Sequence, residues 1–212
     1  MSVRKIPKSY THVTGIVSSP KAIGDAEIES LLEWAFYRKL AFDPLVKNFE
    51  VQPCHFFWLD SLGKRHVYTP DCRVNFWDND EPCIYEVKPR SVLRKKWKTL
   101  RPAFRAAVHQ ARCDGSRFKI ITEREICIPF TDNGVFLMRA IHSGANDEFQ
   151  AKLIDKLSKV GDSTPAELVA AISNDEIEQA QLLFTVWHLI GTFQIWADLD
   201  KPLSMDSIIR CI

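Results

Sequence analysis

Between residues 25 and 43 the apolar positions Ile28, Leu31, Leu32, Ala35, Phe36 and Leu40 recur at intervals of three and four. That spacing predicts an amphipathic helix, with Asp25 as its N-cap and Asp43-Pro44 as its stop. The first 24 residues have little periodicity and predict an arm that ends in a Ser-Ser-Pro turn. Val46–Val51 predicts a short strand, followed by a loop at Gln52-Pro53. Cys54–Leu59 and the segment from Val67 onward flank a turn around Ser61–Lys64 and predict a hairpin. After Pro70 the chain alternates through Trp77, turns at Asp78-Asn79-Asp80-Glu81, and returns as the mostly apolar Cys83–Pro89. Leu93–Cys113 predicts a helix that Pro102 would kink or divide. Phe118–Thr122 is apolar enough for a buried strand reached by a helical crossover. Glu123–Phe136 predicts a short helix or an edge strand.

The remainder has another character. Asp147–Leu157 is amphipathic, and Thr164-Pro165 caps and starts a second helix through Ile172. Asn174-Asp175 starts a third, to about Ile190, with Gly191 as its cap; Thr192–Leu199 then alternates like a strand before a turn at Asp200-Lys201-Pro202 and a second strand. Three helices and a hairpin predict a winged helix-turn-helix domain. The expected architecture is therefore an α/β core, a mixed sheet flanked by helices, followed by a small α+β winged-helix domain. The division places an arm at 1–24, the α/β domain at 25–142 and the winged helix at 143–212.

Composition leaves this picture intact and charge sharpens it. The 212 residues, 46% hydrophobic and 26% charged, fit an ordinary globular protein with a real core. No run of apolar residues is long enough for a membrane span, and the basic N-terminus lacks the apolar stretch of a signal peptide, so a cytoplasmic protein with no membrane partner is expected. The six cysteines are dispersed without zinc-ligand spacing and are expected to be reduced. The net charge of +1 hides a division: residues 1–140 hold 23 Lys/Arg against 16 Asp/Glu, and residues 141–212 hold 5 against 11. From Lys88 to Arg112 the chain carries Lys88, Arg90, Arg94, Lys95, Lys96, Lys98, Arg101, Arg105 and Arg112 with no acid among them. A solvated helix face is the plain alternative, but such faces normally alternate signs, so contact with the phosphates of a polyanion is the better explanation.

Candidate chemistry lies on the strands around the Asp78–Glu81 turn. If Trp77 pairs with Pro82 across the four-residue loop, Asp71 lies opposite Lys88 and Arg73 opposite Glu86. Asp71 and Glu86 are then diagonal neighbours, and Glu86 and Lys88, two apart, share a face while Val87 turns into the core. Two carboxylates, with the Val87 carbonyl as a further oxygen, suit Mg2+. A nearby lysine can orient or deprotonate water, or stabilise the charge that develops on a phosphodiester under attack. The opposing reading is an ordinary surface ion pair.

Thr69-Pro70-Asp71 followed by Glu86-Val87-Lys88 resembles the PD-(D/E)xK nuclease superfamily. The ordered series is longer: Gly15–Lys21, Glu29-Ser30-Leu31-Leu32-Glu33, Leu40–Pro44, Val46, Phe49, Gln52-Pro53, Tyr68–Asp71 and Glu86–Pro89. Together these resemble the TnsA family of transposition endonucleases. The resemblance implies a restriction-endonuclease-like core with a C-terminal winged helix. It also implies Asp71, Glu86 and Glu33 as metal carboxylates, Lys88 as the catalytic lysine, and two Mg2+ ions for which Mn2+ can substitute. Glu33 comes only from the resemblance; by pattern alone Glu29 is equally eligible. The resemblance further implies cleavage of the 5′ strands at transposon ends beside an integrase-type (DDE) transposase, with the C-terminal domain contacting an AAA+ ATPase regulator. A stand-alone restriction or repair nuclease and a non-catalytic DNA-binding adaptor are the alternatives. His55, His66 and His109 lack ligand spacing and are expected to be structural; Gln110 is a candidate neighbour of the site. Of the tryptophans only Trp97, within the basic stretch, is a candidate for stacking on bases.

Overall fold

A computed structural model describes residues 15–60, 62–78 and 81–212. Residues 1–14 of the arm predicted at 1–24 lie outside the described residues. The chain forms two compact units, one ending at Cys127 and the other spanning Ile128–Ile212.

In the first unit β1 (Gly15–Val17) and β2 (Ala26–Ile28) pair antiparallel, then α1 spans Leu31–Phe42. The helix thus begins later than the Asp25 expected. The alternately buried Ala26 and Ile28 claim a strand, and Ser30, in extended backbone, accepts the Glu33 N–H as the true N-cap. Residues 15–24 likewise belong to the core rather than to an arm: the Lys21 carbonyl accepts from Phe49 N–H, and Ile23 N–H donates to the Phe49 carbonyl.

The central sheet contains β3 (Val46–Val51), β6 (Cys72–Phe76), β7 (Cys83–Val87) and β8 (Arg117–Ile121), in that spatial order. Its first two pairings are antiparallel and β7–β8 is parallel, as the crossover through α2 (Arg90–Cys113) requires. Pro102 does not divide α2: the helix runs unbroken through it, and the proline lies on its exposed side. On one sheet face, Phe36, Tyr37 and Leu40 of α1 pack against Phe49, Val51, Cys72, Val74 and Val87. On the other, Ala107 and Ala111 of α2 pack with Ile84 and with Phe56 from the separate ribbon β4 (Phe56–Leu59) and β5 (Arg65–Tyr68). A short helix, α3 (Glu123–Ile126), closes this unit and buries Ile126.

The second unit contains α4 (Pro129–Ser143), α5 (Asp147–Val160), α6 (Pro165–Ala170), α7 (Glu176–Gly191), β9 (Ile195–Ala197) and β10 (Ile209–Cys211). β9 and β10 pair antiparallel, and Ser163 bridges to Ile209. The sequence boundary at residue 142 would leave α4 with the first unit, whereas it packs on α7. The expected cap Gly191 instead ends α7 itself: a Cβ there would lie 2.9 Å from Ile141 Cγ1 and 3.3 Å from Leu137 Cβ, so it permits close approach to α4. Among the described residues no helix is long and apolar enough to cross a membrane. All six cysteines are free.

Candidate active site

Asp71 immediately precedes β6, Glu86 and Val87 end β7, and Lys88 follows before α2 begins. The β6–β7 register differs from the sequence expectation by two residues: Cys72 lies opposite Tyr85, and Val74 opposite Cys83. Asp71 therefore comes directly opposite Glu86 rather than diagonal to it. An even shift keeps every side chain on its expected face.

Asp71 is fixed from all sides. Its N–H donates to the Tyr85 carbonyl at 3.1 Å, and its carbonyl accepts from Gln52 N–H at 2.9 Å and from the Tyr37 hydroxyl at 3.1 Å. Its carboxylate accepts the Val87 N–H at 2.6 Å. Lys88 N–H donates to the Ile121 carbonyl, so the parallel pairing with β8 fixes where the lysine starts. The Lys88 ammonium then reaches Glu86 Oε1 at 2.9 Å, the Val87 carbonyl at 3.1 Å and Asp71 Oδ2 at 3.4 Å. The other Glu86 oxygen, Oε2, accepts from the Tyr68 hydroxyl at the end of β5. Glu86 is 2% exposed, while the Lys88 side chain is 28% exposed, so the cluster opens outward through the lysine.

Burial and the neighbouring Asp71 raise Glu86 to about 7, against the opposing pull of Lys88 and Tyr68. Asp71 is also raised, by burial, although Lys88 and the Val87 N–H counteract it. Burial pulls Lys88 down, but Asp71 and Glu86 outweigh it and hold the ammonium above its ordinary range. Near neutrality Glu86 is therefore divided between protonated and ionised forms, a poise typical of functional sites.

Glu33 is placed differently. Its carboxylate accepts from Glu29 N–H at 2.8 Å and from the Ser30 hydroxyl at 3.0 Å, closing a reciprocal cap at the start of α1. It has no hydrogen bond or ion pair to Asp71, Glu86 or Lys88 among the described residues, but it lies near enough for Asp71 to add to burial in raising it.

Among the described residues no three Asp, Glu, His or Cys side chains form a metal-binding group. The observation bearing on a metal is instead the oxygen set gathered around the Lys88 ammonium: two carboxylates and one carbonyl, all directed at a single cation. Hard divalent ions take oxygen ligands of this kind and complete their shell with water, so Asp71, Glu86 and the Val87 carbonyl fit one.

On α2, Arg90, Arg94, Lys98, Arg101 and Arg105 recur every three or four residues and so form one strip beginning two residues from Lys88. Arg94, Lys98, Arg101 and Arg105 are exposed, and Arg90 is half-buried. Lys95 and Lys96 are exposed on other faces of the helix, and Trp97 is exposed beside the strip. Gln110 does not reach the site: its amide donates to the Phe57 carbonyl at 2.7 Å and accepts Phe57 N–H at 3.2 Å, fastening the ribbon to α2. His55 pairs with Thr69, His66 with Asp60, and exposed His109 lies beside Cys113. Tyr68 is the site residue that the pattern of charges did not select; its position at the head of the Tyr-Thr-Pro-Asp run was the available signal.

Residues 43–123 match the family model described as TnsA-like endonuclease N terminal. The matched segment is thus similar to the N-terminal domain of the TnsA-like endonucleases. The similarity supports a transposition-related nuclease, and the match spans Tyr68, Asp71, Glu86 and Lys88 and the whole central sheet. Glu33 precedes the matched segment. No curated protein matches the chain.

Proposed function

We propose that this TnsA-like endonuclease cleaves the 5′ strands at transposon ends in a Mg2+-dependent reaction, acting with an integrase-type (DDE) transposase. The observation that carries the reading is the convergence of Asp71, Glu86 and the Val87 carbonyl on one cation position, within the matched endonuclease domain. Mg2+ held by these oxygens, with Mn2+ as a substitute, supplies Lewis acidity toward a phosphodiester oxygen and toward water. Glu33 is the third carboxylate of the proposed site and would have to leave its cap to reach a second ion. Asp71 keeps its orientation through four backbone and hydroxyl contacts, so its carboxylate needs little rearrangement when DNA arrives. Lys88, the most solvent-accessible member, is placed to pair with a phosphate oxygen and to stabilise the charge that builds up during attack. Arg90, Arg94, Lys98, Arg101 and Arg105 hold the duplex backbone next to it, and Lys95 and Lys96 add positive charge on the other faces of the same helix.

The second unit supports a division of labour. After α4, its helices α5, α6 and α7 are followed by the β9–β10 hairpin, and Ser163 before α6 bridges to β10; this order supports a winged-helix reading. Yet α7, the helix that would enter a DNA groove, contains no Lys or Arg. It begins with Asp175, Glu176 and Glu178 and exposes Ile177 and Phe184. An acidic, partly apolar helix suits a protein better than DNA, which favours a regulator of the AAA+ ATPase type as its partner. Strand-specific cleavage of transposon-end DNA, with and without the transposase and with Mg2+ or EDTA, tests the proposal. Cutting of the 5′ strand that needs both is expected. Cutting without any partner would instead indicate a stand-alone nuclease, and absence of cutting under every condition would indicate a DNA-binding adaptor.

A further inference from the structure

Tyr68 is held by its surroundings more firmly than a ribbon residue needs to be. Its ring stacks on Phe56 at 6.4 Å and 25°, and meets Phe104 at 6.1 Å and 72° and Phe118 at 6.4 Å and 76°. Those three rings come from β4, α2 and β8, so three elements fix the direction of the hydroxyl. The ribbon is in turn fastened to α2 by the paired hydrogen bonds between Gln110 and Phe57. The hydroxyl so placed donates to Glu86 Oε2, leaving Oε1 toward the position that the Lys88 ammonium occupies at 2.9 Å.

We propose that Tyr68 is a positioning residue of this nuclease, whose hydroxyl ties one oxygen of Glu86 so that the other is presented, singly and in fixed orientation, to a divalent cation. The inference rests on the metal reading given above and adds a residue to it. A carboxylate free to rotate would lose orientation, or would chelate through both oxygens and draw the ion away from Asp71 and the Val87 carbonyl. A hydrogen bond to the non-ligating oxygen prevents both. Partners of this kind typically change metal affinity by about 10- to 100-fold when removed.

The test is Tyr68→Phe, which keeps the ring and its three aromatic contacts. Two quantities are measured on the full chain: the Ca2+ concentration giving half of the maximal thermal shift, and the Mn2+ concentration giving half-maximal cleavage with the transposase present. Both midpoints are expected to rise about tenfold or more, with cleavage largely recovered at saturating Mn2+. A purely structural tyrosine would lower the melting temperature without metal and leave the midpoints unchanged, so midpoints within about twofold of the unsubstituted chain overturn the inference. If the unsubstituted chain itself shows neither a Ca2+ shift nor Mn2+ dependence, the metal reading fails and takes this inference with it.

Discussion

Lys88→Met removes one charge and keeps an unbranched side chain of similar length. Asp71 Oδ2 and Glu86 Oε1, 3.4 and 2.9 Å from the ammonium, then lose their shared cation in a place where Glu86 is 2% exposed. Breaking a fully buried pair costs about 3–5 kcal/mol; because the lysine is partly exposed, roughly 2–3 kcal/mol is the better expectation here. The loss depends on pH, and its sign follows from Glu86. The rise from its ordinary 4.5 to about 7 makes the folded state bind a proton more tightly than the unfolded chain does. Its contribution, about 3 kcal/mol, is therefore present at pH 4.5 and below and is lost as pH rises through 7. Without Lys88 the raised position moves higher still, so the deficit of the variant grows from pH 5.5 to pH 8.5. At about 3 °C per kcal/mol, melting of the first unit at pH 8.5 should fall by roughly 6–9 °C, and by less than half of that at pH 5.5. Ca2+ should recover more in the variant than in the unsubstituted chain, because the oxygens no longer have a competing cation. Thermal melts followed by tryptophan fluorescence across this pH range, with and without Ca2+, provide the measurement. A variant with unchanged stability at pH 8.5, or a deficit that shrinks with rising pH, would refute the electrostatic account of the cluster.

Two further outcomes follow from other parts of the chain. Replacing Arg94, Lys98 and Arg101 together by Gln should weaken DNA binding and reduce the slope of log affinity against log salt by about 2–3, whereas Lys152→Gln with Lys159→Gln in the second unit should leave it unchanged; fluorescence anisotropy over a salt series measures both. Gly191→Ala should destabilise the second unit by about 1–3 kcal/mol despite the better helix propensity of Ala, because the new Cβ meets Ile141; a stabilised variant in urea melts would contradict the close α4–α7 approach.

The sequence carried the parity of the site better than its register. Alternation alone put Asp71, Glu86 and Lys88 on one face and Val87 in the core, and an error of two residues in the turn did not disturb that. The pattern could not separate a helix starting at Asp25 from one starting at Leu31. Ile28 suits either assignment, although the capping run Ser30-Leu31-Leu32-Glu33 was present. Glu33 shows a similar ambiguity in physical form, since one carboxylate can cap its helix or bind a metal, and spacing does not choose between them. Tyr68 and Gln110 were opaque for another reason: their partners, Glu86 and the Phe57 backbone, are brought together by tertiary packing of the ribbon against α2. Gly191 looked like a helix cap because its contact, Ile141, is distant in sequence.

The central claim is that the Asp71–Glu86–Lys88 cluster cuts DNA. The most direct measurement compares Mg2+-dependent 5′-strand cleavage at transposon ends by the unsubstituted chain, Asp71→Asn and Glu86→Gln, in the presence of the transposase and with DNA binding measured in parallel. The account predicts that both variants bind DNA normally and lose cleavage by about a thousandfold or more, in line with the several kcal/mol that metal catalysis supplies. Glu86→Gln should do so while matching or exceeding the stability of the unsubstituted chain at pH 8.5. Cleavage by either variant at the unsubstituted rate would contradict the account.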